Sequence, residues 1–235
     1  MSPRIALSLL SGVVALGGMA YVGTLAFQPG QALETSIVTA VTAAPADPVP
    51  SAQAAPSAPA GSQGSQAPAG GHTTVSESWV VATAAKAGIS AVAMRAYANA
   101  QLAAPASCGL GWTTLAGIGW IESHHGTIDG RSLGADGVPS APITGIPLGD
   151  LDRAYGPMQF IPSTWDKWGA DGDGDGTADP QNINDAALAA AHYLCASGAL
   201  TTGSTWTAAV FSYNHSDEYV RQVYDAAQQY AARTS

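Results

Sequence analysis

The chain has 235 residues, 46% of them hydrophobic and only 11% charged, with a formal net charge of -9. That sign is wrong for gripping a polyanion, which excludes nucleic acid as a natural partner. The averages conceal three segments of unlike composition, to be read in turn.

Residues 5–27 carry no charged side chain. A helix of that length covers roughly 34 Å, enough for a bilayer core. The run is longer than the apolar region of about 7 to 15 residues in a cleaved signal peptide, and it lacks a clear small-x-small cleavage site. Residues 1–27 are therefore expected to be an N-terminal transmembrane anchor, with a signal peptide as the alternative. Arg4 and the amino terminus, the nearby positive charges, place the start inside and everything after Phe27 outside.

Residues 28–74 are rich in Ala, Pro, Ser and Gly and hold no aromatic residue, Lys or Arg. With so little to bury, this segment is expected to be a disordered linker. As a coil it would span on the order of 40 Å, and as stretched polyproline II up to about 145 Å, enough to carry a domain from a membrane into a surrounding wall.

Residues 75–235 read as one mainly helical domain. Thr74 with Glu77 forms a capping-box pattern and Gly88 a helix stop. Further helices are expected over residues 90–103, 112–123 and 184–196, the last with Gly198 just beyond it. Ser204 and Ser216 read as N-caps of two final helices. The second of these carries a stripe of Tyr219, Val220, Val223, Tyr224, Ala227 and Tyr230. Residues 124–150 lack a regular pattern, and so long a loop in a compact domain usually has a function. Cys108 and Cys195 follow a membrane-targeting pattern, which implies an oxidising compartment and one disulfide.

Leu115, Ile118 and Glu122 are spaced i, i+3, i+7, which puts the carboxylate on the face of its helix that points to a core or cleft. Partial burial there raises a Glu pKa, as a general acid requires. The plainer alternative is a helix-terminal Glu that reaches solvent or pairs with Arg131 or Arg153. His124 and His125, next to it, read as rim or capping residues, His192 as a core histidine, and Trp165 and Trp168 as core packing.

Three separated motifs change the balance: WIESHHG at 120–126, AYGPMQFIPSTW at 154–165, and the pair Tyr213 and Asn214 in FSYNHS. Together they resemble lytic transglycosylases with a lysozyme-like (soluble lytic transglycosylase-type, goose-type) domain, closest to the membrane-bound lytic transglycosylase B family. The resemblance covers roughly residues 89–232. It implies a lysozyme-like helical domain with a long active-site loop, acting on peptidoglycan glycan strands in the cell envelope, outside the cytoplasm, and as a monomer. By the same resemblance Glu122 is the catalytic acid/base, and Ser123, which completes a Glu-Ser motif, is a substrate-binding residue on the cleft surface. Tyr155, Met158, Gln159 and Phe160 would line the sugar cleft, and Tyr213 and Asn214 would close its floor. A neutral glycan is held by amide and hydroxyl groups and by rings, which agrees with these residue types.

The reaction this implies needs no cofactor for its chemistry. Glu122 protonates the bond between N-acetylmuramic acid and N-acetylglucosamine, and the muramyl six-hydroxyl closes a 1,6-anhydro ring. Two rivals stand beside it. Asp150 or Asp152 could supply a second carboxylate and make a hydrolytic muramidase, or the domain could bind peptidoglycan without turnover. Finally, the run DGDGDGTADPQNIND places Asp171, Asp173 and Asp175 at positions 1, 3 and 5 and Gly176 at position 6 of an EF-hand-like loop. Position 12 is Asn182 in place of Glu. The resemblance supplies a later closing Asp and hence a structural calcium set of Asp171, Asp173, Asp175, the Thr177 carbonyl and Asp185. The alternative is an Asp-rich turn that caps the following helix.

Overall fold

The computed structural model describes residues 74–147 and 153–235, and the backbone of a two-residue antiparallel pairing between Ala15–Leu16 and Met19–Ala20. The rest of the expected anchor (1–27), the linker up to residue 73, and Asp150 and Asp152 lie outside the described residues. Among the described residues no helix is long and apolar enough to cross a membrane.

From residue 74 onward the described chain is mainly helical. Helix α1 is Glu77–Ala87, capped by the Ser76 hydroxyl and not by the Thr74 pattern expected, and Gly88 stops it in the left-handed conformation. Helix α2, Ala91–Ala103, starts at the Ser90 cap, and α3 is Trp112–Ser123. Helix α4, Pro162–Trp168, was not expected; Pro162 opens it, where a missing N–H costs nothing. Helix α5 is Ile183–Cys195. Helix α6, Gly203–Asn214, is capped by Thr202, two residues before the Ser204 anticipated. Helix α7, Asp217–Thr234, begins at Ser216 as expected.

Two helix pairs dominate the packing, α3 on α7 and α2 on α5. Small residues bring the backbones together. A Cβ on Gly117 would lie 2.8 Å from the Val223 carbonyl oxygen, so α3 and α7 meet backbone to backbone there. On α5, Ala186, Ala187, Ala189, Ala190 and Ala191 are fully buried, opposite the buried alanines of α2. The larger core side chains are Trp112, Tyr97, Met94, Leu115 and Ile118. From α7, the stripe contributes Tyr219, Val220, Val223, Ala227 and Tyr230, while Tyr224 stays half-buried.

The two cysteines form the expected disulfide, with an S–S distance of 1.98 Å across a sequence separation of 87. It joins the end of α5 to the short 3-10 turn Ala106–Cys108 that precedes α3. Leu200 N–H reinforces the junction by donating to the Cys108 carbonyl at 2.6 Å.

Candidate active site

The C-terminal end of α3 organises the site. Leu115 and Ile118 are completely buried, and Glu122 follows on the same face, partly exposed. Its Oε1 accepts a hydrogen bond of 2.6 Å from the Tyr219 hydroxyl at the start of α7. Burial of the carboxyl pushes its pKa up to about 7, and the Tyr219 hydrogen bond opposes that shift without cancelling it. Neither alternative pairing is seen. Arg131 instead engages Asp129 and the carbonyls of Ile128, Ala141 and Pro142, and Arg153 reaches the Gly145 carbonyl.

Tyr213, near the end of α6, lies parallel to Tyr219 with ring centroids 6.4 Å apart. Its hydroxyl donates to the Met158 carbonyl at 2.8 Å. Burial, with the Glu122 carboxylate adding to it, holds both phenols well above the ordinary tyrosine range, so both remain neutral donors. Asn214, the last residue of α6, is partly exposed beside them.

A wall beside Tyr213 is built by residues 143–147 and 153–160. Tyr155 and Phe160 exchange two backbone hydrogen bonds, of 2.8 and 3.0 Å, and Tyr155 also bridges to Thr144. The tight reversal requires Gln159 in the left-handed region, with φ of 51°. Its side-chain amide donates back to the Gly156 carbonyl at 2.8 Å. Tyr155 and Gln159 remain partly exposed.

Three residues expected on the cleft surface lie beneath it. The Ser123 side chain is completely buried; its hydroxyl donates to the Pro157 carbonyl at 2.6 Å and accepts from the Gly126 N–H. Met158 is also fully buried, and its carbonyl serves Tyr213. Phe160 is 3% exposed, wedged edge-on against Trp165 and Tyr213. In this structure these side chains face protein atoms and help hold the wall in place.

The histidines need a correction too. His124 is the C-cap of α3 in the left-handed conformation, as a capping role requires. His125, expected at the rim or as a cap, is 6% exposed and so lies away from the rim, while its N–H caps α3 by donating to the Gly119 carbonyl. Its Nδ1 lies 3.0 Å from the Tyr97 hydroxyl and its Nε2 2.9 Å from that of Tyr230. His192 is half-buried, so it belongs to the edge of the core, as do Trp165 and Trp168. Sequence reasoning placed Tyr219 in the apolar stripe and missed its hydroxyl. The available signal was that a buried tyrosine hydroxyl needs a polar partner; nothing in the spacing says which one, 97 residues away.

The acidic loop adjoins this wall, tied to it by Gln181, which bonds the backbone of Ile143. Asp171, Asp173 and Asp185 each place a carboxylate oxygen within 4.8 Å of the others. Asp185 is 1% exposed and accepts from the Gly172 and Asp179 N–H groups; its burial pushes the pKa up. Asp171 accepts from Gly174 and Gly176, and these bonds hold its pKa down. Asp175 stands outside the trio and accepts from the Thr177 N–H. Asn182 caps α5 and donates to Asp173 at 2.6 Å.

Comparison with known proteins adds one finding. Residues 148–210 match the family model described as the transglycosylase SLT domain. The match takes in the Tyr155 to Phe160 wall, α4, the acidic loop, α5 and most of α6, but not Glu122, Tyr213 or Tyr219. No curated protein and no solved structure matches the chain.

Proposed function

We propose that the chain is a peptidoglycan lytic transglycosylase, a glycan lyase that cleaves the β-1,4 bond between N-acetylmuramic acid and N-acetylglucosamine. The observation that carries this reading is the Glu122 carboxyl, half-buried between tyrosines and titrating near pH 7, in a chain that matches the transglycosylase SLT domain. A group that titrates there can give up a proton and take one back at neutral pH. Glu122 donates its proton to the glycosidic oxygen, and the N-acetylglucosamine side leaves as the alcohol. The carboxylate then removes the proton of the muramyl six-hydroxyl, whose oxygen bonds to carbon one and closes the 1,6-anhydro ring. Glu122 ends protonated, and no water is consumed.

A one-carboxylate mechanism suits the electrostatics. Among the described residues, the raised pKa has burial as its cause and no carboxylate contributes to it, whereas a close pair of acids would raise one by like-charge repulsion. Tyr219 holds the carboxyl in position. Tyr155, Gln159, Tyr213 and Asn214, the partly exposed residues of the two walls, hold the sugars with hydroxyl, amide and ring surfaces. Asp171, Asp173 and Asp185, joined by Asp175 and the Thr177 carbonyl, form an all-oxygen set suited to a structural calcium ion, which would relieve the repulsion among clustered carboxylates. The N-terminal segment would anchor the enzyme, and the linker would let it reach the wall.

The test is to incubate the protein with purified peptidoglycan and weigh the products by mass spectrometry. Anhydromuramyl ends, lost in Glu122→Gln, are the expected result. Reducing ends would make the protein a hydrolytic muramidase, and intact strands a binding module.

A further inference from the structure

Immediately after Glu122 and Ser123, the chain places two consecutive non-glycine residues, His124 and His125, in the left-handed region, at φ of 51° and 61°. Side chains there are disfavoured, and a pair of them persists only where the surroundings hold it. Three contacts do so. The His125 N–H closes the helix onto the Gly119 carbonyl at 2.8 Å. Its ring, buried, bridges the hydroxyls of Tyr97 on α2 and Tyr230 on α7. In either tautomer of a neutral imidazole, one nitrogen donates and the other accepts, so both hydroxyls are served. The third contact is the Ser123 hydroxyl, bonded to the Pro157 carbonyl.

This clamp reaches the Glu122 face of α3. The Tyr97 hydroxyl that meets His125 also lies against the backbone at Gly119, where any Cβ would overlap it. Gly119 is one helical step from Glu122. The Met158 sulfur borders the same spot, and Tyr97 is close enough to Tyr213 to perturb it. The titratable groups around Glu122 are Tyr213 of α6 and Tyr219 of α7, with Tyr97 of α2 behind Tyr213; those around His125 are Tyr97, Tyr230 and His124.

We infer that His125 is a positioning residue for Glu122: by bridging Tyr97 and Tyr230 it fixes the end of α3 and keeps the Glu122 carboxyl in its dehydrated seat. The inference rests on Glu122 being the proton donor proposed above. Burial keeps the His125 ring neutral, its pKa pushed down to about 3, so the bridge persists across the working range of a group that titrates near 7. Without the bridge the helix end loosens, water reaches Glu122, and its pKa moves back toward that of a free carboxyl.

The chain contains four glutamates, Glu34, Glu77, Glu122 and Glu218, so carboxyl carbon-13 labelling gives few signals, and Glu122→Gln identifies the one needed. The full chain is titrated by NMR without substrate, as wild type, His125→Phe, Tyr97→Phe and Tyr230→Phe. The Glu122 midpoint is expected to fall by about one pH unit in each variant, which cuts the protonated fraction at pH 7 about fivefold. The value of kcat at pH 7 should follow, with KM steady. Tyr230→Phe is the discriminating variant, since it removes one hydroxyl from the far end of the clamp, and it also serves if His125→Phe fails to fold. Folded variants that melt earlier but keep the wild-type Glu122 midpoint would overturn the inference, leaving the clamp a purely structural device. If the midpoint moves while the wild-type chain cleaves no glycan, the clamp stands and the proposed function fails.

Discussion

Glu122 illustrates how one residue can oppose the stability of the fold that surrounds it. Its pKa is raised from 4.5 to about 7 by burial, so between those values the folded chain binds a proton the unfolded chain has lost. Stability therefore falls as pH rises through this window. Above pH 7 the cost is on the order of 3 kcal/mol, from the energy equivalent of a pKa unit. Glu122→Gln removes the charge but leaves an oxygen to accept from Tyr219. This variant should match the wild type at pH 4 and melt higher at pH 8, and calorimetry at the two pH values checks it. The side of the helix on which Glu122 lies was legible, because Leu115, Ile118 and Glu122 repeat with the helical period. The depth of its neighbours was not. Ser123 and Met158 are buried by chain segments that return from elsewhere, and His125 by contacts with Tyr97 and Tyr230, 28 and 105 residues away. No local pattern carries such information.

At the scale of elements, the acidic loop and the wall around Ile143 are fastened together. Gln181 makes a reciprocal pair of hydrogen bonds, both 2.9 Å, with the backbone of Ile143. Ile183 N–H donates to the Gly137 carbonyl, and Asn182 joins Asp173 to the Asp136 carbonyl. Order in the loop is thereby transmitted to the wall. With a cation among Asp171, Asp173 and Asp185, the chain should melt at a higher temperature on titration with calcium, and Asp171→Asn should lose that response while still folding; differential scanning fluorimetry reads both. Elements with strong punctuation were legible: the boundaries of α2, α3 and α5 and the Ser216 start of α7 fall within about two residues of expectation, within the ambiguity of any helix end. Helix α4 was missed because seven residues make too short a run to show a period. The caps of α1 and α6 were misplaced because several Ser and Thr residues stand close together at each start, and only the backbone geometry selects Ser76 and Thr202.

For the molecule as a whole, the helical character of residues 75–235 was legible from composition and period, and the pairing of the two cysteines from their number and setting. The packing partners of the helices were not, since α2 on α5 and α3 on α7 rest on small residues that many helices share. The disulfide should stabilise the domain by about 4 to 5 kcal/mol through the entropy of the unfolded chain. Replacing both cysteines by serine should lower the melting temperature, as thermal denaturation measured by circular dichroism will show. The same bond has a second consequence. The ring it closes contains α3, the long loop, α4, the acidic loop and α5. A protease that nicks the exposed backbone inside this ring frees no fragment, because each cut end stays tethered through sulfur and packed by its own helices. In a milieu where other enzymes attack protein, such a domain tolerates a single cut within the ring without coming apart.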